Sequence, residues 1–222
     1  MKNFLFLLLL ISSNIFSQDL SKFYNNGDTS MSKKWVTSSW ESGTIVLLDG
    51  SEISGEVKGN YGANQSEIVS FKFRKKKGAD TEKYKAEDCL LVSVKNTITL
   101  SLPKNLKKKS GKKNFYVAMY YGKHLTIFEN PKASTANGQG TSLLGKGLGK
   151  STNFSQGGGQ MLSYLALKGD EFSKLTALNF RKQMKKLCND NKDWSSRASD
   201  KKWFNYDNLF RVAHYYNQTK EK

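Results

Sequence analysis

The chain has 222 residues, a formal net charge of +17 at pH 7, 37% hydrophobic residues and 12% aromatic residues. This apolar content excludes wholesale disorder and suits one domain with an appendage. Only four of the 36 basic residues are arginine. Because specific recognition of phosphates and bases relies on the guanidinium group, we expect no specific nucleic-acid partner.

Residues 1–18 are typical of a secretory signal peptide. Lys2 precedes an unbroken apolar run over residues 4–11, and small polar residues lead to Ser17. The run is too short to span a bilayer. We therefore expect an exported protein that is periplasmic, outer-membrane-associated or secreted, with no transmembrane span in the mature chain.

Residues 19–42 are polar and rich in turn-forming residues, and they contain Trp35 and Trp40. Large aromatic rings are usually packed against apolar surface, although an exposed tryptophan can also stack on a sugar. We interpret this segment as an N-terminal arm whose tryptophans pack on the following sheet.

Residues 43–169 predict a β-rich domain. Within residues 43–59, Asp49 and Gly50 separate two runs rich in β-branched residues, which is the pattern of a hairpin with a tight turn. Later segments alternate apolar and polar residues with the period of a half-buried strand. These segments are residues 69–73, 90–94, 98–102, 115–128 (a second hairpin about Gly122 and Lys123) and 161–167, the last expected strand.

Three features of this domain predict interruptions of the sheet. Pro103 is expected to end strand pairing, because proline lacks the N–H that a ladder needs. Residues 104–113 contain six lysines and no aromatic residue, which favours a solvated loop. Residues 130–159 are rich in Gly, Ser, Thr and Asn, so we expect a long loop there.

Residues 170–222 predict a helical segment packed on the β-rich domain. Apolar side chains recur at helical spacing over residues 177–188 and again over residues 209–216. Each apolar stripe is narrow, so each helix needs a surface to cover. The predicted fold class is α+β: an antiparallel twisted sheet or partly closed barrel with two C-terminal helices.

The two cysteines, Cys89 and Cys188, allow two interpretations. In an oxidising compartment they could form a disulfide, which would stabilise the fold by closing a long loop. Nothing in the sequence shows that the two thiols meet, and two separate buried thiols fit equally well.

The sequence contains no pattern that predicts a catalytic residue, a metal site or a cofactor. Residues 140–147 have the spacing of a phosphate-binding loop but lack its final Ser or Thr, and a linker is the better interpretation. His124 and His214 lie far apart in sequence without the carboxylate spacing of a metal motif. Cys188 lacks any nucleophile signature and is expected to pack on its helix.

Several short motifs resemble a group of exported proteins of Bacteroidota. They are G-x-I-V followed by I-x-G-x-V in residues 43–57, I-V-S-F-K in residues 68–72, Y-K-A-E-D in residues 84–88, and a tail with Tyr215, Tyr216 and Asn217. The resemblance covers most of residues 43–217. It implies a signal peptide, a β-rich body and a short C-terminal helical segment, but no activity and no catalytic residue.

The leading functional hypothesis is an exported, envelope-associated, non-enzymatic binding or structural module, with an envelope component of unknown identity as its partner. The alternative is a basic surface that binds acidic polysaccharide or lipid head groups, and a hydrolase is the third hypothesis. The lysines proposed to contact such an anionic glycan or lipid surface are Lys75, Lys76, Lys77, Lys107, Lys108, Lys109, Lys112 and Lys113.

Overall fold

The protein is an antiparallel β-sheet with helices at its C-terminal end, so the predicted α+β fold class is confirmed. The computed structural model describes residues 20–24, 36, 38–62, 67–106, 108–130 and 163–221. The expected signal peptide, Trp35, Lys107 and nearly all of the Gly/Ser-rich loop lie outside these ranges. Within them, ten strands form one twisted sheet that does not close.

All strand pairs in the sheet are antiparallel. In chain order the strands are β1 (Glu41–Leu47), β2 (Glu52–Tyr61), β3 (Ile68–Arg74), β4 (Glu82–Tyr84), β5 (Cys89–Val94), β6 (Thr97–Asn105), β7 (Ser110–Tyr120), β8 (Thr126–Glu129), β9 (Tyr164–Lys168) and β10 (Glu171–Leu175). Across the sheet their order is β10-β9-β8-β7-β6-β5-β1-β2-β3-β4, so β4 and β10 are the edges.

The predicted first hairpin is present as β1 and β2. Gly50 has a φ of +87°, which a residue without a Cβ adopts at little cost. Asp49 fixes the turn, because its Oδ1 accepts hydrogen bonds from the Ser51 backbone N–H at 2.9 Å and from the Ser51 hydroxyl at 2.7 Å. The turn chemistry read from the sequence therefore sets the register of this strand pair.

The sheet coils strongly enough to enclose a core between its own strands. The rings of Phe71 in β3 and Phe115 in β7 meet edge to face with their centres 4.8 Å apart, although four strands separate β3 from β7 in the sheet. Buried residues of β1, β2, β3 and β5 join this cluster. The opposite face carries a second cluster around Phe128, against which Phe23 and Tyr24 of the N-terminal arm pack.

Three α-helices cover one face of the β7–β10 end of the sheet. They are α1 (Phe180–Cys188), α2 (Lys192–Arg197) and α3 (Leu209–Lys220). Phe180 and Leu209 are 1% and 0% exposed, so the predicted docking of both helices is confirmed. Among the residues that the structure describes, no helix has the length and apolar character that crossing a lipid bilayer requires.

Three expectations about element boundaries are wrong. The strand expected to be last, β9, is followed by β10, and Gly169 with a φ of +51° lies in the turn between them. The connection expected between two helices contains α2, whose first turn is capped by the Asn191 side chain accepting from the Trp194 N–H at 2.9 Å. Pro103 does not end pairing, because β6 continues past it to Asn105 through an irregularity in register that tolerates proline.

Candidate binding surface

Three lysines lie side by side on the outer face of the sheet at its β4 edge. Lys58 in β2 is directly opposite Lys72 in β3, and Lys72 is directly opposite Lys83 in β4. Directly opposed residues of an antiparallel pair project from the same face, with Cβ atoms about 5 Å apart. We call Lys58, Lys72 and Lys83 the lysine row.

Strand alternation explains why these lysines face outward. Val57 in β2 is fully buried in the enclosed core, as is Phe71 in β3, while Phe73 is 7% exposed. Because successive side chains of a strand point to opposite faces, Lys58 and Lys72 project from the outer face, where both are half-buried. The enclosed core therefore fixes the outward direction of the row.

None of the three amines of the lysine row has a carboxylate partner at ion-pair distance among the described residues. Glu56, which shares the face of the row, pairs with Arg74. Like charges directly opposite each other across a strand pair destabilise a sheet. The row is thus a local concentration of positive charge that the folded chain does not compensate.

One end of the row is ordered by Trp40, which comes directly before β1. The Arg74 guanidinium carbon lies 4.2 Å from the centre of the Trp40 ring, and the Lys58 Nζ lies 4.9 Å from it. Arg74 Nε also donates to Glu56 Oε2 at 2.6 Å. The predicted packing of Trp40 on the sheet is confirmed, and its ring holds two cationic side chains in place.

The first group of predicted contact residues extends this surface. Lys75, Lys76 and Lys77 follow Arg74 in the turn between β3 and β4, and all three are exposed. They therefore continue the basic surface beyond the end of β3. We use the name basic face for the lysine row together with Arg74 and this turn.

The second group of predicted lysines lies elsewhere, on the hairpin between β6 and β7. Lys108, Lys109 and Lys112 are exposed there, and Lys113 is half-buried opposite Pro103. The predicted solvated loop is therefore mostly paired strand. Lys109 Nζ lies 2.6 Å from Asp170 Oδ1 in the β9–β10 turn, so this hairpin tip contacts the helical end of the sheet.

The sequence prediction missed all three members of the lysine row. Each is a single lysine at an outward strand position, which is ordinary for a surface strand. Lys83 also lies in a strand of only three residues that no alternation revealed. The signal that would have found the row is the strand register, and the register depends on contacts far apart in sequence.

The two cysteines are buried in different clusters, and both are free thiols. The disulfide between Cys89 and Cys188 is therefore not formed, which corrects that alternative in favour of two separate thiols. Burial raises the pKa of Cys89 to about 12 and also raises the pKa of Cys188. Both thiols consequently stay protonated at neutral pH, in the state that is a poor nucleophile.

His214 lies in α3, and His124 lies in the β7–β8 connection, where its backbone N–H donates to Asn217 Oδ1 of α3. His214 Nδ1 lies 3.2 Å from the Tyr120 hydroxyl. Burial, and then the positive charge of Lys123, lower the pKa of His124. Across the described ranges, no group of three or more His, Cys, Asp or Glu side chains is arranged to hold a metal ion.

Asp190 is the centre of a polar cluster that ties the helices to the sheet. Its carboxylate lies 2.8 Å from Lys168 Nζ of β9 and 2.9 Å from Lys220 Nζ of α3, and it accepts from the Tyr216 hydroxyl at 2.9 Å. Partial burial opposes ionisation, but hydrogen bonds from Lys168, Lys220 and Tyr216 outweigh it and hold the pKa of Asp190 below its ordinary value. Because the carboxylate of Asp190 pairs with side chains of β9 and α3, we interpret this cluster as structural.

Comparisons of the chain with protein-family models, curated proteins and solved structures gave no match. The resemblance to exported Bacteroidota proteins therefore stays a prediction.

Proposed function

We propose that this chain is an exported, non-enzymatic binding module that holds an anionic component of the cell envelope on its basic face. The observation that carries the proposal is the lysine row: three directly opposed lysines with no carboxylate partner among the described residues. The exported location rests on the signal peptide expected from residues 1–18.

An anionic ligand would gain from this arrangement in two ways. Its negative charge would offset the mutual repulsion of Lys58, Lys72 and Lys83. A local positive potential also raises the rate at which anions encounter the surface. The contacts that Arg74 and Lys58 make with Trp40 restrict both side chains before binding. Less side-chain entropy is then lost when the ligand binds.

The test compares two variants with the same loss of charge. K58Q/K72Q/K83Q removes the row, and K182Q/K185Q/K201Q removes three exposed lysines of the helical end. We expect the first variant to elute from a sulfated agarose support at clearly lower NaCl concentration than wild type. The second should elute close to wild type.

Equal elution shifts for the two triple variants would contradict the proposal, because they would show that only total charge matters. Near-identical circular dichroism spectra and a cooperative unfolding transition in each variant would establish that both are folded. With that established, the difference in elution reports the basic face alone.

A further inference from the structure

Resting on the proposed function, we infer that the ligand of the basic face is a linear acidic polysaccharide lying across strands β2, β3 and β4. Neighbouring strands are about 4.8 Å apart, so the three positions of the lysine row span about 10 Å in one direction. A chain of acidic sugars carries its carboxylates or sulfates at intervals of one sugar ring. Such a chain can place successive charges against successive lysines.

Polar residues lie on both sides of the lysine row and can hydrogen-bond to the hydroxyl groups of a sugar chain. On one side of the Lys58–Lys72 pair, the Asn60 amide donates to the Ser70 hydroxyl at 3.1 Å, and on the other side Arg74 pairs with Glu56. Amide, guanidinium and carboxylate groups are hydrogen-bonding partners for sugar hydroxyls. The row is thus flanked by polar groups on both sides along the strands.

The edge position of β4 leaves one end of the row open. β4 is the last strand in the sheet order, and no strand of the described ranges pairs beyond it. Lys83, at this edge, is exposed. A polymer longer than the row can therefore continue past Lys83 without meeting another strand. A binding site for a single small anion would not require such an open end.

A lipid surface fits this geometry less well. Adjacent strands of a twisted sheet are rotated by about 20–25° with respect to each other, so side chains on β2 and β4 point in different directions. A flat bilayer would meet the two ends of the row unequally. The outward neighbours named above are polar, whereas interfacial membrane binding also draws on buried apolar area.

Single-stranded nucleic acid also fits less well, because it needs exposed rings on which bases can stack. The positions of β2, β3 and β4 that share the face of the row carry no aromatic side chain. Those that are at least partly exposed are Glu52, Ser54, Glu56, Asn60 and Arg74, whereas Ser70 is buried. Trp40 lies beside the row, but the Arg74 guanidinium already stacks on its ring. A polyanion without bases is the better match.

The experiment measures binding of the purified full-length chain to three sugars by titration calorimetry at low salt. The probes are a galacturonate tetramer, the galacturonate monomer, and the same tetramer with every carboxylate methyl-esterified. We expect the tetramer to bind at least about tenfold more tightly than the monomer, because several contacts act together. The esterified tetramer, which keeps the sugar chain but loses its charge, should bind at least about tenfold more weakly than the acidic one.

The two triple lysine variants provide the structural control. K58Q/K72Q/K83Q should lose about tenfold or more in affinity for the acidic tetramer, while K182Q/K185Q/K201Q should lose less than about twofold, as expected for charges far from the contact. Equal affinity for tetramer and monomer would overturn the inference, because it would show that no extended chain is recognised.

Three further outcomes separate this inference from the proposed function. The same variants are tested with vesicles of phosphatidylcholine and phosphatidylglycerol in a two-to-one ratio, and with a single-stranded oligonucleotide. If the vesicles are bound more tightly than the tetramer and their binding depends on Lys58, Lys72 and Lys83, the inference is wrong and the proposed function stands. If the oligonucleotide is bound most tightly with the same dependence, the inference and the proposed envelope ligand are both wrong. If no anionic probe distinguishes the two triple variants, both are wrong.

Discussion

The side chain of Asn217 in α3 is pressed against the backbone of Gly122 in the β7–β8 connection. Asn217 Oδ1 accepts from the N–H groups of His124 at 2.7 Å and Leu125 at 3.1 Å, while its Nδ2 donates to the carbonyls of Leu125 at 3.0 Å and Ala213 at 2.9 Å. A Cβ built on Gly122 would lie 2.5 Å from Asn217 Nδ2. The amide is fully hydrogen-bonded and leaves no space for a larger residue.

Gly122→Ala should therefore destabilise the fold by about 1–3 kcal/mol, the usual cost of overpacking a filled core. Asn217 cannot move aside without breaking hydrogen bonds that join α3 to the sheet. The matched control is Gly62→Ala, whose added Cβ would meet Val69 Cγ1 at an ordinary 3.4 Å. Urea unfolding should show a clearly lower midpoint for the first variant only, and equal midpoints would refute the role assigned to this contact.

The Asp190 cluster should make stability depend on acid pH. The folded-state pKa of Asp190 is held below its ordinary value, so its contribution is complete above the unfolded pKa of about 4 and is lost as pH falls below it. Asp190→Asn should cost about 1 kcal/mol at pH 7, a figure kept small because the carboxylate is 37% exposed. The difference from wild type should shrink between about pH 4 and pH 2.

Asp80→Asn is the control for this pH dependence. Asp80 is exposed in the β3–β4 turn and forms no ion pair with a described residue. Its substitution should leave the dependence of the unfolding free energy on pH nearly unchanged. If the loss of unfolding free energy in the Asp190→Asn variant stayed constant down to pH 2, the wild-type Asp190 carboxylate would not have a lowered pKa.

Lys72 should reduce stability because it faces a lysine on each side. Lys72→Gln removes both like-charge contacts, and we expect it to raise the free energy of unfolding by about 0.5 kcal/mol at low salt. Added salt screens exposed charges, so the gain should fall at 1 M NaCl. Lys185→Gln, on the exposed side of α1, should show no such gain. A loss of stability in Lys72→Gln at low salt would contradict the interpretation of the row as uncompensated charge.

Phe180 anchors α1 in the helical core. Its ring centre lies 5.1 Å from that of Phe204 and 5.9 Å from that of Tyr206. Phe180→Ala should cost about 3–5 kcal/mol, as large-to-small changes in a core do. Lys185→Ala, on the exposed side of the same helix, should stay within about 0.5 kcal/mol of wild type. Chemical denaturation measures both, and similar small losses would mean that α1 is not docked.

Local chemistry made part of this fold predictable. The turn at Asp49 and Gly50 and the apolar spacing around Phe180 and Leu209 each specify an element through neighbours in sequence. The missed elements have weak local patterns. β10 alternates only partly because it is an edge strand whose side chains are half exposed, and α2 has one buried anchor, Trp194, in an otherwise polar turn.

The basic face was predictable only in part, because some of its lysines are consecutive in the sequence and others are brought together by strand pairing. Lys75, Lys76 and Lys77 are consecutive, so the sequence alone reveals their charge. Lys58 and Lys83 are 25 positions apart, and only the pairing of both with β3 brings them into one row. That pairing follows from the burial of side chains contributed by several strands, which no single stretch of sequence encodes.

The most direct test of the proposed binding face is lysine footprinting by acetylation, read by mass spectrometry with and without the tightest-binding anionic probe. If the probe binds at the lysine row, it should slow the acetylation of Lys58, Lys72 and Lys83. The acetylation rates of Lys185 and Lys201 should stay unchanged. Uniform protection of all these lysines, or protection confined to the helical end, would contradict binding at the basic face.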